Sequence, residues 1–131
     1  ARYPNSWFDS VKPIQTIETL YQEKANKVQE SWITPTFLNG WVNFGSNNAL
    51  AGYFKDNFGI VHLRGVISSG AIGSDAFTLP VGYRPAFNER YAVPSNSLFG
   101  QIIVTLSGTV IPSTGSNVNI ALNGITFRAE G

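Results

Sequence analysis

The spacing of hydrophobic residues along the chain changes at Trp32. Before this point, apolar or small side chains recur every three or four residues, at Ile14, Ile17, Tyr21, Ala25, Val28 and Trp32. The pattern repeats every eleven residues, which keeps one stripe on one face of a helix with little supercoiling. Residues 14–31 contain no Gly or Pro, and Pro13 stands where the first turn of a helix tolerates proline. The pattern therefore predicts a helix from Ile14 to about Ser31.

This stripe has two interpretations. A helix of this kind can pack on its own domain, or it can pair with copies of itself. The stripe is narrow and regular, which favours self-association. Tyr21 and Trp32 are bulky for a tight two-helix seam, which favours three associated helices or a splayed neck. We therefore expect residues 1–32 to form a trimeric helical stem.

After Trp32, Gly and Pro separate short runs rich in Val, Ile, Phe, Tyr and Thr. Such runs are typical of an antiparallel all-β domain. Nine strands are predicted, at 37–44, 51–55, 59–68, 76–79, 89–93, 101–106, 109–111, 117–123 and 125–129. The sequence thus predicts one antiparallel, jelly-roll-like β-sandwich head over residues 33–131, preceded by the N-terminal helix.

Alternation within the strands predicts which side chains face the core. In the run 59–68, Val61, Leu63 and Ile67 share one face and His62 and Arg64 the other. Two further inward rows are predicted, at Ile102, Val104 and Leu106 and at Val118, Ile120 and Leu122. Turns are predicted at Ser107-Gly108 and at Asn123-Gly124, the second closing a hairpin.

Composition narrows the function classes. Nine basic residues nearly balance eight acidic ones, and the net charge of +1 gives no reason to expect binding to nucleic acid or to an anionic membrane. The chain has no cysteine, so disulfides and thiol chemistry are excluded. No apolar run is long enough to cross a bilayer, so no membrane insertion is expected. The absence of Met favours a piece of a longer protein, although removal of an initiator Met before Ala1 explains the missing Met at position 1 equally well.

The sequence offers few candidates for catalysis. His62 is the only histidine and has no nucleophile motif beside it. The lack of clustered His, Cys and carboxylate ligands gives no reason to expect a metal or another cofactor. Glycoside hydrolysis needs only two carboxylates, and the head offers Asp56, Asp75, Glu89 and Glu130. Asp56 and Asp75 stand in turn sequences, where Asp commonly bonds its own backbone. We therefore expect no enzymatic activity.

Binding of a neutral polyhydroxylated ligand suits the head better, because it is rich in aromatic, Asn and Ser residues and poor in charge. Aromatic rings stack on the apolar faces of sugars while amides and hydroxyls bond their rims. The candidate ligand residues are Trp41, Tyr53, His62, Arg64, Tyr83 and Arg84. Trp41 and Tyr53 are better explained as core residues. The run Tyr83-Arg84-Pro85 lies at a Gly/Pro bend and is expected to be exposed. Arg64 and Arg84 suit phosphate groups of a teichoic-type polymer, or carboxylates across a subunit interface.

Four stretches of the head resemble a known family. They are Leu38-Asn39-Gly40-Trp41-Val42-Asn43, the run from Tyr53 to Gly65 (YFKDNFGIVHLRG), the run from Phe77 to Pro85 (FTLPVGYRP) and Gly124-Ile125-Thr126-Phe127-Arg128-Ala129. In this order they resemble the C-terminal head domain of tail-fibre and receptor-binding proteins from phages and prophages of Gram-positive bacteria. The resemblance spans nearly all of residues 32–131.

The resemblance implies a homotrimeric β-sandwich head that binds a bacterial surface polysaccharide or teichoic-type polymer. It also implies an upstream tail-fibre or baseplate partner, and a soluble product made in the bacterial cytoplasm that works in the virion tail. Three copies would bring avidity for a repetitive receptor. Two alternatives stay open, namely a purely structural trimerisation tip and an accessory carbohydrate-binding module of a wall hydrolase.

Overall fold

A computed structural model describes residues 28–131, which form ten β-strands and no helix. The strands are β1 (Val42–Asn43), β2 (Gly52–Lys55), β3 (Ile60–Arg64), β4 (Val66–Ser68), β5 (Phe77–Thr78), β6 (Glu89–Ser95), β7 (Leu98–Val104), β8 (Thr109–Thr114), β9 (Ile120–Ala121) and β10 (Thr126–Arg128). All pairings are antiparallel. The predicted antiparallel β-structure is confirmed for this part of the chain, whereas most of the predicted helix lies outside the described residues.

The strands form three sheets, with the orders β1-β4-β9, β10-β3-β2 and β5-β8-β7-β6. One buried cluster joins all three. Tyr53 of β2 and Phe77 of β5 stack with ring centroids 6.5 Å apart and an interplanar angle of 12°. Ile67 of β4 is also fully buried in this cluster. The three sheets therefore share one hydrophobic core.

The predicted strand 59–68 is divided in two at Gly65. Gly65 has a φ of 113°, and a Cβ there would lie 2.4 Å from the Cα of Ala51. The partner strand is divided at the same level, because β9 pairs with β4 and β10 pairs with β3. The turn at Asn123-Gly124 therefore forms, but it makes a corner between two sheets and not the predicted closing hairpin.

This corner is held by the side chain of Asn123. Its Oδ1 accepts a hydrogen bond of 2.8 Å from the N–H of Gly65. The carbonyl of Gly65 in turn accepts the N–H of Leu122 at 2.7 Å. On the other side of the corner, the N–H of Leu63 donates to the carbonyl of Ile125 at 2.9 Å. Both halves of the bent strand pair thus stay hydrogen-bonded through the bend.

The predicted inward-facing rows are confirmed within the strands, but the residues predicted to extend these rows beyond the strands are exposed. Seven residues of these rows are buried, namely Val61, Leu63, Ile67, Ile102, Val104, Ile120 and Leu122. Leu106 is 56% exposed and Val118 is 53% exposed, because both lie in turns that follow or precede the strands. The turn around Ser107-Gly108 is also wider than predicted, since the N–H of Thr105 donates to the carbonyl of Thr109.

Several predicted strand bounds are wrong because residues other than glycine adopt a positive φ at these positions. Asn96 and Ser97 have φ values of 47° and 67° and form a tight hairpin turn between β6 and β7. The two strands therefore continue to Ser95 and from Leu98. Asn39, with a φ of 55°, interrupts the predicted strand 37–44 and leaves only β1.

The segment 29–33 lies along the outer edge of β2 and is not helical. Ile33 exchanges two backbone hydrogen bonds with Tyr53, of 2.7 and 3.0 Å. Glu30 Oε1 accepts the N–H of Lys55 at 2.7 Å, and Gln29 Nε2 donates to the carbonyl of Lys55 at 3.0 Å. The predicted helix end near Ser31 is therefore wrong, because residues 29–33 bond the free edge of β2 instead of one another.

Candidate functional site

The outer face of sheet β10-β3-β2 brings two predicted ligand residues together. His62 and Arg64 alternate with the buried residues of β3, so both side chains lie on the outside and are half-buried. Phe54 is the cross-strand partner of His62. Trp32, 38% exposed, packs edge-on against Phe54 with centroids 4.5 Å apart. We call these four residues the aromatic-basic face.

Arg64 is positioned by stacking. Its guanidinium carbon lies 4.4 Å from the centre of the Trp32 ring, a cation–π geometry. Arg64 pairs across the strands with Gly52, where a Cβ would come within 3.4 Å of Nε. Nε is buried and has no hydrogen-bond partner among residues 28–131, and no carboxylate of this part of the chain lies within ion-pair distance. An oriented guanidinium without a counter-charge is suited to bind an acceptor-rich ligand.

His62 is held by a hydrogen bond to a carboxylate and by stacking on an aromatic ring. Its Nε2 lies 2.8 Å from Asp56 Oδ2, and its ring stacks on Phe54 with centroids 4.8 Å apart and an interplanar angle of 10°. Asp56 Oδ1 accepts the N–H groups of Phe58 and Ile60, which confirms the predicted backbone bonding of this Asp. The hydrogen bonds from His62 and from these amides hold the pKa of Asp56 below its ordinary value. His62 is therefore fixed in orientation.

Trp41 and Tyr53 lie in the core. Trp41 is 1% exposed, and a Cβ at Gly70 would lie 2.2 Å from its ring. Its Nε1 donates to Ser74 Oγ at 3.2 Å. Tyr53 is 7% exposed, and burial raises the pKa of its phenol. Neither ring offers a free face to a ligand in this conformation, so the core interpretation describes both.

Tyr83 connects its loop to the segment 29–33. Its hydroxyl donates to the Glu30 carboxylate, whose two oxygens both lie at 3.0 Å, and its ring packs edge-on against Tyr53. Lys55 Nζ lies 4.9 Å from the centre of the Tyr83 ring and donates to the carbonyl of Gly82. Burial and the neighbouring Glu30 raise the pKa of Tyr83. Tyr83 is therefore half-buried and holds a loop, away from the aromatic-basic face.

Arg84 also has a structural contact. Its Nε donates to the carbonyl of Leu79 at 2.8 Å, and its own carbonyl accepts the N–H groups of Glu130 and Gly131. The next residue, Pro85, is fully buried, although the run Tyr83-Arg84-Pro85 is predicted to be exposed. The expectation of an exposed bend is wrong here because Tyr83 bonds Glu30 and Arg84 bonds Leu79 and the C-terminal residues.

A second concave region lies between β6 and β10 and contains none of the predicted ligand residues. It is a cavity of about 320 Å³ lined by Pro85, Ala86, Phe87, Glu89, Tyr91, Thr126, Phe127, Arg128 and Glu130. Glu89 and Glu130, two of the four carboxylates that the sequence offers for glycoside hydrolysis, line it. Phe87, an apolar residue before the polar pair Asn88-Glu89, is a further sequence signal for it. We call this region the β6–β10 groove.

Three further observations concern the described residues only. No group of three or more His, Asp or Glu side chains in residues 28–131 is arranged to hold a metal ion. In the same range, no helix is long and apolar enough to cross a membrane. Comparison of the chain with protein-family models and with curated proteins gave no match.

Proposed function

We propose that this chain is a receptor-binding head of a phage tail fibre, which binds a bacterial cell-surface glycan or wall polymer and does not cleave it. The observation that carries the proposal is the aromatic-basic face. His62 and Arg64 lie there beside two aromatic rings, and the guanidinium of Arg64 has no counter-charge among residues 28–131. We also propose that the three sheets form a jelly-roll-like sandwich, which their shared core supports.

The chemistry of the aromatic-basic face suits a sugar polymer that carries acceptor groups. A guanidinium binds hydroxyl, carboxylate or phosphate oxygens through several parallel hydrogen bonds. Stacking on Trp32 and pairing with Asp56 hold Arg64 and His62 in place before the ligand arrives, so less side-chain entropy is lost on binding. His62 and Arg64 lie on the outer face of a sheet, a kind of surface that suits an extended polymer better than a small molecule that needs enclosure.

We propose that the head works as a homotrimer. Support comes from the outer face of sheet β5-β8-β7-β6, where Phe99 is 85% exposed. Ile103 and Ile111 lie on the same side and are cross-strand partners. On β6 this side carries one charged residue, Arg90. An apolar outer face of this kind is typical of a surface that a second copy covers. Trimerisation would multiply a weak site on a repetitive polymer.

The binding proposal is tested by pull-down of the purified protein with bacterial cell walls and with polysaccharide extracted from them. Arg64→Gln removes the guanidinium charge of this face and should abolish most of the binding. Arg90→Gln is the matched control, because it removes the same charge from an arginine on another sheet. Arg90 lies on the proposed trimer face, so sedimentation velocity first establishes that this variant keeps the oligomeric state of the native protein. Circular dichroism and urea unfolding of both variants establish that the fold is kept.

Three results would contradict the proposal. If Arg64→Gln binds the wall polymer as well as the native protein does, the aromatic-basic face is not the binding site. A native protein that forms trimers and retains no wall polymer would favour a purely structural tip. Release of reducing ends from purified polymer would show a hydrolase.

The trimer proposal is tested by sedimentation velocity. Phe99→Asp places a charge on the apolar outer face and should produce monomers. Phe58→Asp is the control, because Phe58 is 89% exposed but lies in the turn between β2 and β3. A native protein that sediments as a monomer would refute the trimer, and equal effects of both substitutions would refute this choice of interface.

A further inference from the structure

The β6–β10 groove adjoins the aromatic-basic face. Thr126 lines the groove, and it is also the cross-strand partner of His62. Neighbouring strands lie about 5 Å apart. The groove therefore begins one strand beyond His62, and a polymer chain bound at Arg64 and His62 can reach it by crossing β10.

The groove is preformed by contacts that fix both of its walls. Tyr91 of β6 donates its hydroxyl to the carbonyl of Thr126 on β10 at 3.0 Å, which sets the width. The carbonyl of Arg84 accepts two N–H groups from residues 130 and 131, which holds the loop 85–87 against the C-terminal segment. Phe127 is 6% exposed and closes the floor. Phe87 is 75% exposed, so its ring is open to a ligand.

The charges around the groove have both signs. Glu89 and Glu130 contribute carboxylates, and Arg128 contributes a guanidinium whose Nε lies 4.0 Å from Glu130 Oε2. Burial and the nearby Glu89 raise the pKa of Tyr91 to about 12, so its phenol stays protonated and keeps its bond to Thr126. An ammonium ligand would meet Arg128, and a phosphate would meet two carboxylates. Hydroxyl groups donate and accept, so they suit a rim of mixed sign.

We propose that the β6–β10 groove binds one neutral pyranose unit, with Phe87 stacked on the apolar face of the ring and Glu89 accepting hydrogen bonds from its hydroxyls. The volume of about 320 Å³ is at the lower end of ligand pockets, which range over about 300–1,000 Å³, and suits a single ring. This inference rests on the proposed function, since it makes the groove a second subsite for the same polymer.

The test uses methyl glycosides of glucose, galactose, rhamnose and N-acetylglucosamine as probes, titrated into the isotope-labelled protein and followed by amide NMR shifts. At least one probe should shift the amides of Phe87, Glu89 and Arg128. Phe87→Ala should weaken that binding roughly tenfold, the equivalent of one good aromatic contact. Phe58→Ala, which removes an equally exposed ring elsewhere, should leave the affinity unchanged.

A second variant keeps the test independent of folding. Glu89→Gln retains the size of the side chain, and it should weaken pyranose binding while the amide spectrum away from the groove stays the same. The inference is overturned if no probe shifts the groove amides, if Phe87→Ala and Phe58→Ala behave alike, or if tetramethylammonium or inorganic phosphate shifts these amides and the glycosides do not.

Failure of this inference is separable from failure of the proposed function. Cell-wall binding that depends on Arg64, with no pyranose shift in the groove, would refute the groove subsite alone. Glycoside binding in the groove by a protein that retains no wall polymer would refute the receptor-binding proposal and support the groove as a sugar site.

Discussion

Removal of the Asn123 side chain should weaken the corner that joins two sheets. Asn123 Oδ1 is the hydrogen-bond acceptor for the N–H of Gly65, and Gly65 is buried. In Asn123→Ala this N–H is left in the interior without its partner. An unsatisfied buried donor costs about 1–3 kcal/mol in the free energy of unfolding. Asn123 itself is exposed, so its truncation removes little packing, and most of the loss comes from this one bond.

Urea unfolding measures this loss directly. For a urea m-value of about 1–3 kcal/mol/M, the expected loss moves the midpoint by roughly 1 M. Asn123→Asp keeps an acceptor oxygen at the same place and serves as the control, with a change within about 0.5 kcal/mol. Hydrogen exchange gives a local measure, because the Gly65 amide should lose protection in the Ala variant alone.

The corner also sets the direction of Arg64, which directly precedes Gly65. We therefore expect Asn123→Ala to reduce wall-polymer binding as well as stability. The reasoning is refuted if Asn123→Ala unfolds at the same urea concentration as the native protein and its Gly65 amide stays protected. In that case another group would satisfy the Gly65 N–H, and the corner would not depend on Asn123.

Three further predictions concern single side chains. Ser95 is 1% exposed, and its Oγ accepts the N–H of Ser116 at 2.8 Å. Ser95→Ala should therefore lower the free energy of unfolding by about 1–3 kcal/mol. Ser107 is exposed, so Ser107→Ala should leave this free energy unchanged. Asp56 has a lowered pKa, so its stabilising contribution is present above its ordinary pKa of 3.8 and is lost as pH falls through the folded value; the stability gap between native protein and Asp56→Asn at pH 7 should close in acid. Tyr91 has a pKa raised from 10.0 to about 12, so its contribution is present below pH 10 and is lost as pH rises towards 12. In an absorbance titration Tyr91→Phe should lack one of the late-ionising phenols, while those of Tyr53 and Tyr83 remain.

Local alternation predicted the inside and outside of the longer strands correctly. Val61 and Leu63 are buried and His62 and Arg64 are not, because a strand in a two-sided sheet must place alternate residues on opposite faces. Turns of positive φ were missed where the residues were Asn and Ser. At Asn96 and Ser97, strand pairing decides the backbone geometry, and the sequence Pro94-Ser95-Asn96-Ser97 is equally typical of an ordinary loop.

The helix end was missed for a different reason. The spacing of Val28 and Trp32 continues the helical stripe, but Trp32 packs against Phe54 and Arg64 of its own domain. Periodicity cannot detect this contact, because it depends on a strand edge that forms more than twenty residues later in the chain. The free edge of β2 offers backbone partners, and Ile33 bonds them.

The two candidate sites differ in how much of each can be predicted from the sequence. His62 and Arg64 were predictable as outward residues on one strand. Their neighbours Trp32 and Phe54 depend on how the segment 29–33 and β2 pair. The β6–β10 groove could not be predicted, because it forms between residues 85–91 and 126–130, which meet only in the folded chain.

The segment 29–33 has a consequence for exchanging this head between carriers. A head cut at the predicted boundary after Trp32 would lose Glu30 and the stacking partner of Arg64. It would also uncover most of the edge of β2, and an uncovered edge strand pairs readily with other chains and promotes aggregation. A transplantable module therefore has to begin before Gln29, so that the head brings its own edge protection with it.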